Sequence, residues 1–155
     1  MAAQTGRTVS KFVNCKIDDS GGTLRQIAVD SIGGVGITFD EMDLTSFQDA
    51  VKVFLPNLAN VGVDITGPFD TTALTGSHTV LSGVNGGFTP LSFGVWFGER
   101  HTYEEGEPVW GITSTAANGF LCTSYIVDPS TMKYTAHLVL APGSALPAWG
   151  TASIT

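Results

Sequence analysis

Short runs in which apolar and polar residues alternate dominate this chain and predict a mainly β protein. Val61, Val63 and Ile65 alternate with small or polar residues, which is the period of a strand with one buried face. The run over residues 91–97 places Trp96 on its second face, so we expect protein on both sides of that strand. Similar patterns predict strands at residues 11–17, 26–29, 35–39, 109–113, 121–127 and 134–140.

One segment has the spacing of a helix instead. Its apolar residues fall at i, i+3, i+4, i+7 and i+8 and form one stripe: Phe47, Ala50, Val51, Phe54 and Leu55. Thr45 and Gln48 fit a capping box, and Pro56 cannot continue a helix. The pattern therefore predicts a helix over about residues 46–55. An amphipathic helix must lie against a sheet, which indicates a β-sandwich or barrel-like domain with one α-helix, occupying residues 1–155 as a single domain.

The composition points to a surface that other molecules cover. Only 14% of the 155 residues are charged, against about 25% in an average protein. The formal charge of −7 leaves few cations to neutralise phosphates, so DNA binding is not expected. Residues 1–10 lack the apolar run of a signal peptide or membrane span, which predicts synthesis in the cytoplasm and no membrane insertion. Cys15 and Cys122 are expected to be buried thiols.

No pattern of residues predicts catalysis. Glycine-rich segments lack the Lys-Ser or Lys-Thr of a phosphate-binding loop, and neither G-x-S-x-G nor H-E-x-x-H occurs. The histidines His78, His101 and His137 are far apart in sequence. The acidic clusters at residues 40–43 and 104–107 are typical of turns exposed to solvent. We predict no enzyme activity, no cofactor, and no catalytic, cofactor-binding or metal-binding residue.

Four short segments follow one another along the chain. They are IDDSGGTL at residues 17–24, EMDLTSF at 41–47, VDITGPFD at 63–70 and PAWGT at 147–151. Their order resembles that of the major tail tube protein of long-tailed, siphovirus-like bacteriophages: an opening hairpin, the entry to one helix, a strand with its stop, and the C-terminal end. The resemblance covers about residues 12–151.

The resemblance implies a structural subunit of the virion tail. Copies would form hexameric rings that stack into a tube, which serves as a conduit for genome delivery. The implied partners are other copies and other tail proteins such as the tape measure, terminator and distal tail proteins. Double-stranded DNA would pass without specific binding, because an acidic lumen repels phosphates. Candidate lumen-facing residues are Asp18, Asp19, Asp40 and Glu41.

Contacts between subunits or rings are expected at a second group of residues: Trp96, Glu104, Glu105, Glu107 and Trp149. The family also uses loops and arms that order on stacking, and the candidates here are residues 1–10, 70–90 and 99–107. A plain hairpin with a long tip explains residues 70–90 equally well. Alternatives for the whole chain are a decoration protein, a tail terminator or the inner tube protein of a contractile system. Trp96, Trp110 and Trp149 also keep open a small-ligand or carbohydrate-binding β-sandwich.

Overall fold

A computed structural model describes residues 13–98, 106–151 and 154. These residues form eleven strands and one helix. In chain order they are β1 (Val13–Asp18), β2 (Leu24–Ile27), β3 (Ser31–Gly33), β4 (Thr38–Asp43), β5 (Phe54–Asn60), β6 (Gly62–Pro68), α1 (Ser77–Val84), β7 (Phe93–Phe97), β8 (Val109–Ile112), β9 (Phe120–Asp128), β10 (Lys133–Leu140) and β11 (Ala148–Gly150).

Two antiparallel sheets and a separate hairpin make up the architecture. The five-stranded sheet has the order β11-β8-β7-β1-β2, and the four-stranded sheet has the order β3-β6-β10-β9. Among the described strands, β4 and β5 pair with each other and with no other strand. The first two sheets enclose one apolar core, so the prediction of a mainly β sandwich with one helix is confirmed.

The core takes its largest side chains from both sheets. Trp110 lies at its centre, with ring centroids 6.4 Å from Phe93 and 6.1 Å from Phe120. On the four-stranded sheet, Ile65 of β6 lies opposite Ala136 of β10, and both are fully buried. The alternation that predicted these strands is thus the alternation between core and outer face.

The position of the predicted helix is wrong. Residues 46–55 form the turn of the β4–β5 hairpin and the start of β5, where Leu44 N–H donates to the Val53 carbonyl at 2.9 Å. Helical spacing stabilises a helix only when the stripe is buried, and this stripe is exposed. Pro56 has no backbone N–H to donate. It is tolerated in β5 because each strand of a two-stranded hairpin has one edge that forms no backbone hydrogen bonds.

The helix lies instead in the segment expected to be a loop, residues 70–90. Helix α1 buries Val80, Leu81 and Val84 against the core. A Cβ at Gly76, just before the helix, would lie 2.5 Å from the Asp70 carbonyl oxygen, so the chain approaches itself where only glycine fits. The sequence concealed this helix because it has no charged first or last turn and no side-chain cap.

Candidate assembly surfaces

Residues 38–60, named here the projecting hairpin, expose an unusual amount of apolar surface. Val51 is 75% exposed, Leu58 is 72% exposed and Phe47 is fully exposed. The other large apolar side chains that it leaves open are Phe39, Met42, Leu44, Phe54 and Leu55. Strands β4 and β5 contact each other and barely touch any other described strand or helix. The hairpin thus has apolar side chains but no core of its own.

The tip of the projecting hairpin is an ordered turn. Val53 N–H donates to Thr45 Oγ1 at 2.8 Å, and the Asp49 carboxylate accepts from Ser46 N–H at 2.8 Å. These bonds satisfy the polar groups of the turn internally. They leave Phe47 and Val51 pointing into solvent as an apolar tip.

Glycines join the projecting hairpin to the sandwich. Gly34 and Gly36 precede β4 with φ of +84° and +119°, a region that favours glycine. A Cβ on Gly34 would overlap the carbonyl of Gly62, the first residue of β6. The segments that enter and leave the projecting hairpin therefore pass so close together that only glycine fits at position 34.

The two acidic residues proposed for the lumen, Asp40 and Glu41, do not share a face of the projecting hairpin. Asp40 and Glu41 are exposed neighbours on β4, so their side chains point to opposite faces of the hairpin. Asp43 accepts hydrogen bonds from the side chain and backbone of Thr45, which hold the pKa of that carboxyl below its usual value. At most one of Asp40 and Glu41 lies on any single face that the hairpin presents.

Asp18 and Asp19 have structural partners. Asp18 is 4% exposed and accepts from Ser92 N–H at 2.9 Å, so the expectation that it faces a lumen is corrected. Asp19 accepts from Thr23 N–H at 2.9 Å and from Arg25 Nε at 3.0 Å, which lower the pKa of its carboxyl. Asp18 fastens β1 to the residue before β7, and Asp19 shapes the β1–β2 turn.

The expected contact residues divide into three groups. Trp96 and Glu107 are buried within the chain, so neither is an open contact surface. A Cβ on Gly98 would overlap the Glu107 carboxylate, and thus the carboxylate packs directly against that backbone. Trp149 is 56% exposed on β11, with its ring centroid 5.4 Å from that of Phe97, and stays available for a partner. Glu104 and Glu105 lie outside the described residues.

The structure does not describe most of the expected arms, and it buries two of the three tryptophans that suggested a ligand site. Residues 1–10 and most of 99–107 lie outside the described residues. Of the tryptophans that suggested a carbohydrate or small-ligand site, Trp96 and Trp110 are fully buried in the protein. Only Trp149 presents a ring to solvent, and one ring does not make a sugar-binding platform.

The histidines that the structure describes belong to separate networks. His78 Nδ1 lies 3.1 Å from Tyr125 Oη, and His137 Nδ1 lies 2.6 Å from Asp64 Oδ1. His101 falls outside the described residues. Within the described ranges, no three His, Cys, Asp or Glu side chains cluster closely enough to hold a metal ion.

Both cysteines are buried free thiols, as predicted. Burial raises the pKa of the Cys15 thiol to about 12. Burial also raises the pKa of Cys122, against a smaller lowering by a backbone hydrogen bond with Ser124. Neither thiol is therefore activated as a nucleophile.

Over the described residues, no helix has the length and apolar character needed to cross a bilayer.

Sequence reasoning did not single out the outer face of the four-stranded sheet as a candidate surface. Along β6 and β10 the residues alternate strictly, and the outward positions are mostly small or polar. Asp64 on β6 and Asp128 opposite Lys133 are the carboxylates there. The alternation of β6 and β10 predicted a polar face, but no pattern distinguished it from the other sheet, where Trp96 of β7 is covered.

No protein-family model matches the sequence, and no curated protein matches it. Solved structures of the same fold exist, however. A chain of the anti-feeding prophage (AFP) tube-terminating cap matches with a TM-score of 0.64 and 11% identity, over 98% of this chain and 96% of that one.

Two further structures agree over nearly full length. A chain of the sheath/tube terminator of the extracellular contractile injection system PVC matches with a TM-score of 0.61 and 11% identity, covering 96% of this chain and 99% of that one. A chain of the six-fold symmetrised AFP baseplate has a TM-score of 0.64 and 10% identity, covering 95% of this chain and 97% of that one. At such identities the likeness shows the fold alone.

Proposed function

We propose that this chain is a structural subunit of a phage-tail-type tube and assembles with copies of itself into hexameric rings that stack. The observation that carries the proposal is the projecting hairpin, whose apolar side chains are left exposed by every described part of the chain. An isolated two-stranded hairpin is marginal in water, and large exposed apolar patches mark interaction sites. A neighbouring molecule supplies the missing cover.

The sandwich also offers sheet edges for joining neighbours. Strands β3 and β9 end the four-stranded sheet on opposite sides, and β2 and β11 do so for the five-stranded sheet. An edge presents unpaired backbone groups that another chain can pair with. Because the two edges of each sheet differ, such contacts are heterologous, and a heterologous contact with a suitable rotation closes into a ring. The six-fold symmetrised assembly among the structural neighbours supports six copies.

The polar face of the four-stranded sheet suits the wall of a channel. Its carboxylates, Asp64 and Asp128, together with Asp40 or Glu41 of the hairpin, replace Asp18 as candidates for the lumen. Lys133 is a cation on the same face and lies opposite Asp128, so the carboxylates outnumber it. A wall with a net negative charge repels phosphates and lets a duplex slide. The protein would then lie in the virion tail with other tail proteins, including tape measure, terminator and distal tail proteins, as its partners.

Electron microscopy of the purified full chain tests this function. We expect hollow tubes at high protein concentration, with end-on class averages showing six-fold symmetry. A protein that stays monomeric across concentration and salt, or that forms discrete trimers, contradicts the proposal.

A second function, the terminator of a tube, is favoured by one specific observation. Two of the structural neighbours come from a tube-terminating cap and from a sheath/tube terminator, and each matches this chain over almost its full length. The same images separate the two functions. Single rings that never stack, and that bind only the ends of preformed tubes, support a terminator over a tube subunit.

A further inference from the structure

An apolar groove opens at one side of the sandwich between its two sheets. It holds about 260 Å³. An apolar cavity of about 150 Å³ accepts benzene, so this groove has room for a phenyl ring and part of an aliphatic side chain. Its lining comes from β1, β7 and the segment around β3: Val13, Val29, Asp30, Ser31, Ile32, Val35, Val95 and Phe97.

Asp30 is the charged residue in that lining. Its Oδ2 lies 3.0 Å from Lys133 Nζ, and both side chains are about half exposed. A carboxylate has roughly four acceptor positions, so Asp30 can receive a second cation at the groove. The groove thus presents apolar walls with one accessible negative charge.

The tip of the projecting hairpin has the complementary character. Phe47 and Val51 are its exposed apolar side chains, and Lys52 follows directly. The Asp49 carboxylate is occupied by Ser46. Lys52 forms no ion pair with any residue in the described ranges, which leaves it as the available charge of the tip.

The geometry of the hairpin indicates that tip and groove meet between copies. Val35, in the groove lining, lies only three residues before β4. The six residues of β4 span roughly 20 Å and carry the tip away from that point. A tip held in this way reaches the groove of a second copy and not its own.

We propose that the hairpin tip of one copy inserts Phe47 and Val51 into the groove of the next copy and pairs Lys52 with Asp30. This inference rests on the proposed self-assembly and names the contact through which it occurs. The contact is heterologous, since each copy contributes a tip on one side and a groove on the other. It can therefore close into a ring or repeat along a stack.

A charge exchange between two full-length variants tests the pairing. Asp30→Lys and Lys52→Asp each place like charges at the contact, which opposes association. We expect each variant alone to need at least about tenfold more protein than the wild type to assemble, by light scattering and microscopy. Mixed in equal amounts, the two variants pair Lys with Asp at every contact and should assemble at close to the wild-type concentration.

The apolar half of the contact is tested separately. Phe47→Ser should raise the assembly concentration at least about tenfold, as loss of a buried aromatic anchor does. Phe88→Ser is the matched control, because Phe88 is 92% exposed on another loop and should leave assembly unchanged. Lys133→Gln controls for charge at the groove and should also leave assembly intact. Thermal unfolding of each variant verifies that the sandwich is folded.

The outcomes separate this inference from the proposed function. If the wild type forms tubes and the Asp30, Lys52 and Phe47 variants do so equally well, the contact is wrong and the function stands. If the single variants fail and their mixture also fails, the pairing between copies is contradicted. If the wild type never assembles, the proposed function and this contact are both overturned.

Discussion

Asp18 is a buried carboxylate whose role is to hold separate strands together. It accepts from Ser92 N–H at 2.9 Å and lies 3.3 Å from Ser114 Oγ, while Ser92 Oγ is 3.0 Å from Ser114 Oγ. These residues come from three separate stretches of the chain. From the sequence, the Asp18-Asp19 pair predicts a turn. It does not predict the burial of Asp18, because that burial depends on strands far away along the chain.

Replacing Asp18 by alanine should strongly destabilise the monomer. The change leaves the buried Ser92 N–H without its acceptor, and such a loss amounts to about 1–3 kcal/mol. Asp40→Ala is the matched control, since Asp40 is exposed on β4 and its loss should change stability by less than about 0.5 kcal/mol. Urea unfolding at low protein concentration measures both. Equal stabilities for the two variants would rule out the structural role of Asp18.

At the scale of elements, burial decides between helix and hairpin where spacing alone does not. Phe47, Val51 and Leu55 have helical spacing, yet they lie in a hairpin, and no described part of the sandwich covers them. The true helix has few good helix formers, but Leu81 and its apolar neighbours enter the core. Tertiary packing outweighs local propensity at both places.

The alternating strands show what sequence could predict. Runs such as residues 61–65 and 134–140 carry period-two alternation with one face in the core, and these strands are where they were expected. Short strands such as β3 and β11 have too few residues to show a period. The groove and the burial of Trp96 depend on how distant strands meet, which no local pattern encodes.

Two leucine truncations distinguish the observed elements from the predicted ones. Leu81→Ala in α1 removes a fully buried side chain and should lower the free energy of unfolding by about 2–5 kcal/mol. Leu55→Ala in the projecting hairpin, half exposed, should lower it by less than about 1 kcal/mol. Denaturant unfolding of the monomer gives both values. The reverse order would contradict the burial of Leu81 in the core and the exposure of Leu55.

At the scale of the whole molecule, core and assembly surface are separate. No residue of the projecting hairpin belongs to the apolar core or packs against it. The core of the sandwich therefore does not depend on the hairpin, and under the proposed function a neighbouring copy gives the hairpin its buried environment. Under the proposed function, the low fraction of charged residues, 14%, fits a surface that neighbouring copies cover.

Sedimentation velocity of a variant in which a short Gly-Ser turn replaces residues 38–60 tests the central claim most directly. The account predicts that wild-type protein forms large, fast-sedimenting assemblies at high concentration. The variant should keep the unfolding temperature of the sandwich and remain monomeric at the same concentration. Assemblies of wild-type size from a folded variant would contradict the claim that the projecting hairpin drives assembly.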